Sequence, residues 1–89
     1  MTGDAEILAA LTSIFREVFA DDRLAIAPGT TPDDVPGWDS AKTVALIVAI
    51  EERFGIRMRT SELDRLDSVA DFVAVVASRR ASDATAHRR

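Results

Sequence analysis

The sequence predicts an all-α fold: a small bundle of three main helices and one short helix around a single core, with a long first loop. Three observations predict it. Apolar residues recur at helical spacing in three separate stretches. All three prolines, with Gly29 and Gly37, fall between residues 20 and 38, so the chain is broken early and over a long stretch. With 89 residues, 47% of them apolar, it can bury one core without disulfides or metal but has no room for a second domain.

The first helix is expected from near Asp4 to Phe19. Ile7, Leu8, Leu11, Ile14, Phe15 and Val18 form its apolar stripe, and Asp4 and Glu6 sit in the first turn, where the helix dipole favours negative charge. Residues 20–38 form the long connection, with Leu24, Ile26 and Val35 as its anchors to the core. The second helix is expected to begin at Asp39 or Ser40 and to end near Phe54, with Gly55 as its C-terminal cap. A short helical turn is expected over Ser61-Glu62-Leu63-Asp64-Arg65-Leu66. The last helix follows from Asp67 or Ser68, with Val69, Phe72, Val73 and Val76 on its apolar side. The division expected is one domain over residues 1–79 and a disordered, basic tail over 80–89.

The second helix carries one apolar face too many. Leu46, Ile47, Ile50 and Phe54, with Thr43 among them, fall on one side, the expected core face. Ala41, Val44, Ala45 and Val48 fall on the opposite side and are apolar too. A helix in so small a domain does not easily bury both. Either the long loop covers the second face or that face docks a partner. Glu51 and Glu52 lie toward the negative end of the helix dipole, where a purely structural choice would be Lys or Arg.

Charge and composition narrow the function classes. Arg79, Arg80, Arg88 and Arg89 against Asp83 put residues 79–89 at +3, which leaves −7 on the rest of a chain whose total is −4. That acidic body argues against nucleic acid and for basic partner surfaces, although net charge also simply keeps small domains in solution. Cysteine is absent, no apolar run is long enough to span a bilayer, and the N-terminus lacks a signal-peptide pattern. The expectation is a cytoplasmic protein.

Ser40, delivered to the start of the second helix by Pro36-Gly37-Trp38-Asp39, is the residue with the most to explain. As a nucleophile it would need a base, and the only histidine is His87, far along the chain. There is no G-x-S-x-G elbow and no Gly-rich phosphate loop. One histidine and no cysteine exclude the usual zinc sets, and Asp33, Asp34 and Asp39 do not make an EF-hand loop, so no metal site is expected. Two readings of Ser40 remain open. Asp39 or Ser40 is only an N-cap, or Ser40 is a modification site whose attached phosphate is stabilised by free N–H groups and the helix dipole.

In its context the segment Gly37-Trp38-Asp39-Ser40-Ala41-Lys42-Thr43-Val44-Ala45-Leu46-Ile47-Val48-Ala49-Ile50-Glu51-Glu52-Arg53-Phe54-Gly55-Ile56 resembles the D-S-L motif and second helix of the acyl carrier proteins. The match continues through Met58, Leu63, Leu66, Ser68 and Val69, and overall covers roughly residues 4 to 78. The resemblance implies that Ser40, with Asp39 as its motif neighbour, carries 4′-phosphopantetheine through a phosphodiester, installed from coenzyme A by a phosphopantetheinyl transferase. The thiol of that arm would hold acyl groups as thioesters, and the protein itself would not be an enzyme. Implied partners are acyl-activating, acyltransferase or ketosynthase-type enzymes, met by Ala41, Val44, Ala45, Val48 and Glu52. Leu46, Ile50, Phe54, Met58, Leu63 and Leu66 match positions that can shelter an acyl chain, and each is also an ordinary core residue. Carriers of this kind generally work as monomers.

The departures point within the family. Ala41 replaces the usual leucine, Lys42 and Ala45 stand at positions commonly acidic in fatty-acid carriers, and Arg57 and Arg59 add positive charge. Trp38 before Asp-Ser looks like discrete carriers of specialised pathways, such as polyketide or aminoacyl-type assembly, and it also reads as a hydrophobic plug for the loop. The alternatives are a general fatty-acid or aminoacyl carrier, and, from another class, an unmodified helical adaptor that binds a partner through the second helix.

Overall fold

In a computed structural model the backbone is described over residues 3–58 and 66–87, and the side chains up to residue 79. The elements are helix α1 (Asp4–Val18), a 3₁₀ turn (Pro32–Asp34), helix α2 (Ser40–Phe54) and helix α3 (Val69–His87), so the described residues are all-helical, as the sequence predicts. The short helix expected over 61–66 lies outside the described residues, except for Leu66, which is buried. None of the described helices is long and apolar enough to cross a membrane.

Helix α1 has Asp4 and Glu6 in its first turn and no side-chain cap. Its buried stripe is Ile7, Leu11, Ile14 and Phe15, a subset of the six apolar positions the periodicity marks. It closes with Ala20 in the left-handed region at φ 52. The Asp21 N–H reaches the Arg16 carbonyl and the Ala20 N–H the Glu17 carbonyl, the paired bonds of a Schellman ending.

The long connection is tied down at several points. Val35 is buried, while Leu24 and Ile26 are half-buried against the core. Arg16 Nε donates to the Leu24 carbonyl at 2.8 Å. Further along, the loop lends its carbonyls to the start of α3: Val69 N–H donates to Thr30 O at 2.9 Å and Ala70 N–H to Pro28 O at 2.8 Å. Two donors that a helix start leaves orphaned are thereby satisfied. Asp71 Oδ2 accepts from the Asp67 and Ser68 N–H groups and fastens the chain that enters the same helix.

Helix α3 runs past Arg80 to His87, where the sequence reading expected a disordered tail from residue 80. Ala81, Ala84 and Ala86 favour helix, and neither Gly nor Pro interrupts the stretch, so nothing local stops it. Helix α1 packs on both α2 and α3. The end of α1 meets the start of α2, where Lys42 Nζ lies 3.2 Å from the Val18 carbonyl, so the two helices run antiparallel.

Candidate functional site

The site is built at the N-terminus of α2. Gly37, at φ 85, turns the chain, and Asp39 in extended conformation caps the helix by accepting from the Lys42 N–H at 2.9 Å. Asp39 is therefore the N-cap, and Ser40 is the first helical residue. That separates the two residues between which the sequence left the cap open. Ser40 and Ala41 are both exposed. Among the described residues no protein group holds the Ser40 hydroxyl, and the Ser40 and Ala41 N–H groups have no protein acceptor. An exposed hydroxyl beside two free N–H donors, at the positive end of a helix dipole, suits an attached phosphate diester. Ala41, with a single methyl group, leaves the approach open.

The residues around Ser40 are held from inside. Trp38 is buried, and its Nε1 donates to Thr43 Oγ1 at 2.9 Å. Its ring meets Phe15 edge-on at 5.2 Å and Phe19 at 6.2 Å between centroids, and it lies tilted against Phe72 at 6.1 Å. The expectation that Trp38 plugs the loop against the core matches this packing. Lys42 is half-buried, with its Nζ on the Val18 carbonyl and 5.6 Å from the centroid of the Phe19 ring.

The second face of α2 is open to solvent. Ala41, Val44, Ala45, Val48 and Glu52 are all exposed, with Val44 at 55% and Val48 at 49%, so the long loop does not cover them. Leu46, Ile47 and Ile50 on the other side are buried. Glu51 belongs to the fold: half-buried, its Oε2 accepts from the Met58 N–H at 2.8 Å and secures the chain after α2. That bond is a structural reason for a carboxylate at the negative end of the dipole. Glu52 is left as the acidic residue of the exposed face.

The residues matched to a chain-sheltering space are distributed unevenly. Leu46, Ile50 and Leu66 are buried in the common core cluster, and Phe54 and Met58 are half-buried against it. Leu63 lies outside the described residues. A cleft of about 300 Å³ between α1 and α3 is lined by other residues, among them Leu8, Pro28 and Val73. Among the described residues no cluster of His, Cys, Asp or Glu could hold a metal ion.

Sequence reasoning missed two positioning contacts. Thr43 carried a signal, a lone hydroxyl on the apolar side of α2 five residues from an indole. The Lys42 contact carried none, because it depends on where the end of α1 comes to rest.

Comparison with known proteins gives the family. Residues 9–76 match the family model described as "Phosphopantetheine attachment site". An acyl carrier protein of Acidothermus cellulolyticus is 34% identical over 73 residues, covering 82% of this chain and 87% of that protein. One from Renibacterium salmoninarum is 33% identical over 84 residues, covering 91% of this chain and 100% of that protein. The solution structure of a holo acyl carrier protein from Geobacter metallireducens superposes with a TM-score of 0.82 at 36% identity, covering 88% of this chain and 90% of that one.

Proposed function

This chain belongs to the acyl carrier protein family, whose prosthetic group is phosphopantetheine, and from that premise we propose that Ser40 is the attachment residue. When bound, the group supplies a thiol that holds an acyl chain as a thioester on a long, flexible arm. The observation that carries the assignment is the exposed, unheld Ser40 hydroxyl at the first turn of α2, inside the matched family segment. In the loading step the Ser40 Oγ bonds to the phosphorus that bears pantetheine, and a P–O bond of the coenzyme A pyrophosphate breaks. Adenosine 3′,5′-bisphosphate leaves with the electron pair, and the hydroxyl proton passes to a base on the transferase. The free Ser40 and Ala41 N–H groups would be the donors to hold the attached phosphodiester, and the Asp39 cap keeps the first turn of α2 in shape.

The proposal extends to the partners. Ala41, Val44, Ala45, Val48 and Glu52 form the surface presented to the transferase and to acyl-activating, acyltransferase or ketosynthase-type enzymes. This face is apolar, and acidic only at Glu52. That character supports a specialised lipid or polyketide-type pathway over general fatty-acid synthesis. Leu46, Ile50, Phe54, Met58, Leu63 and Leu66 are proposed as the lining of any sheltered chain. The carrier domain is proposed to span residues 1–79, with the basic stretch 80–89 outside it.

Incubation with a phosphopantetheinyl transferase and coenzyme A, followed by intact-mass measurement, tests the assignment. One phosphopantetheine is expected on the wild type and none on Ser40→Ala. No gain on the wild type, or equal gain on the variant, overturns it in favour of an unmodified adaptor. Loading assays with malonyl-, acyl- and aminoacyl-transferring enzymes then separate the pathways.

A further inference from the structure

Lys42 stands where an electrostatic docking contact would be expected, yet its side chain is turned into the fold. Its Nζ donates to the carbonyl of Val18, the last residue of α1, and stands over the Phe19 ring. A cation at that end of α1 is favoured by the helix dipole, and the ring face attracts it as well. Ser40 lies two residues before Lys42, in the same first turn of α2. On the other side of Ser40, Trp38 is anchored to Thr43 and packs on the same Phe19 ring. Both flanks of Ser40 therefore converge on Phe19 at the end of α1, while Ser40 and Ala41 face solvent.

We infer that Lys42 is a positioning residue, which fastens the first turn of α2 to the end of α1 and so holds the Ser40 hydroxyl in place for loading. The inference rests on Ser40 being the attachment site. A clamp and a docking contact make opposite predictions for Lys42→Glu. If the ammonium faced a basic partner, the carboxylate would improve docking and lower KM. In the clamp, the carboxylate meets the Val18 carbonyl and the negative end of the α1 dipole, and the turn loosens.

The test is transferase kinetics on wild type, Lys42→Met, Lys42→Glu and Lys42→Arg, each first confirmed as folded at the assay temperature by circular dichroism. Met keeps the aliphatic stem without the charge, and Arg keeps a cationic donor. Met and Glu are expected to lower kcat about three- to tenfold, the scale of one lost hydrogen bond, with KM held within about twofold. Arg is expected to rescue. A second readout needs no transferase: protection of the Thr43 amide, bonded to the Asp39 carbonyl at 2.9 Å, should fall in the Met and Glu variants and stay at the wild-type level in Arg, with hydrogen-exchange rates taken relative to the free-peptide rate of each variant. Unchanged or faster loading of Lys42→Glu, a change confined to KM, or unaltered exchange overturns the clamp. Failure of the wild type itself to load overturns the Ser40 assignment instead, so the two ideas fail separately.

Discussion

Ala20 holds a left-handed backbone conformation, φ 52, at the position that ends α1, where glycine is the usual occupant. Its Cβ is strained there, and nothing in the order of residues announces it, because Ala20 is also a good helix former. Ala20→Gly is expected to raise stability by about 0.5–1 kcal/mol, set by relief of the strain against the greater freedom glycine has in the unfolded chain. Urea denaturation checks it, and a loss of stability would show that the Schellman ending does not form in solution. Asp39 and Ser40 are a more legible pair. Their place before an apolar helix marks a start, and the bond from the Lys42 N–H to Asp39 Oδ1 identifies the cap. The function proposed for Ser40 draws on its exposure, which the dipeptide alone does not reveal.

At the scale of elements, α2 has two apolar faces with different fates. The alternation of Leu46, Ile47 and Ile50 with Val44, Ala45 and Val48 was plain in the sequence, but which side the rest of the chain would cover was not. Helix α1 settles it by packing on the Leu46 side, which leaves Val44 and Val48 in solvent. Val44→Arg and Val48→Glu are therefore expected to change stability by no more than about 0.5 kcal/mol. On the proposed function the same variants impair loading by the transferase. Thermal unfolding beside loading kinetics checks both halves, and cooperative unfolding at much lower temperature in either variant would place the residue in the core. Polarity and basic charge past Arg80 suggest a free tail, while the alanines there support helix, and α3 continues to His87.

Across the whole molecule, Phe15, Phe19, Trp38 and Phe72 gather beneath the Ser40 turn. Phe72 meets Phe15 edge-on at 6.2 Å and lies against Trp38, and Phe15 stacks on Phe19 at 5.8 Å. One cluster thus joins α1, α3 and the turn before α2. Phe72, fully buried at its centre, is expected to cost about 3–5 kcal/mol when replaced by alanine. That is a large share of the roughly 5–15 kcal/mol that holds a small domain together. Chemical denaturation followed by Trp38 fluorescence measures it, and a cost below about 1 kcal/mol would mean that the cluster is not a packed unit. The sequence by itself determined the all-helical class, the three main helices, the early loop and the Asp39-Ser40 pair at the head of α2. Those depend on periodicity, capping and turn chemistry, which act between residues close in the chain. Only the tertiary structure decided that the second face of α2 stays exposed, that Glu51 serves the chain after α2, that the loop carbonyls complete the start of α3, and that Lys42 reaches the end of α1. Each joins or separates groups distant in the chain or set by the path of the backbone, and local patterning carries no term for where those groups meet.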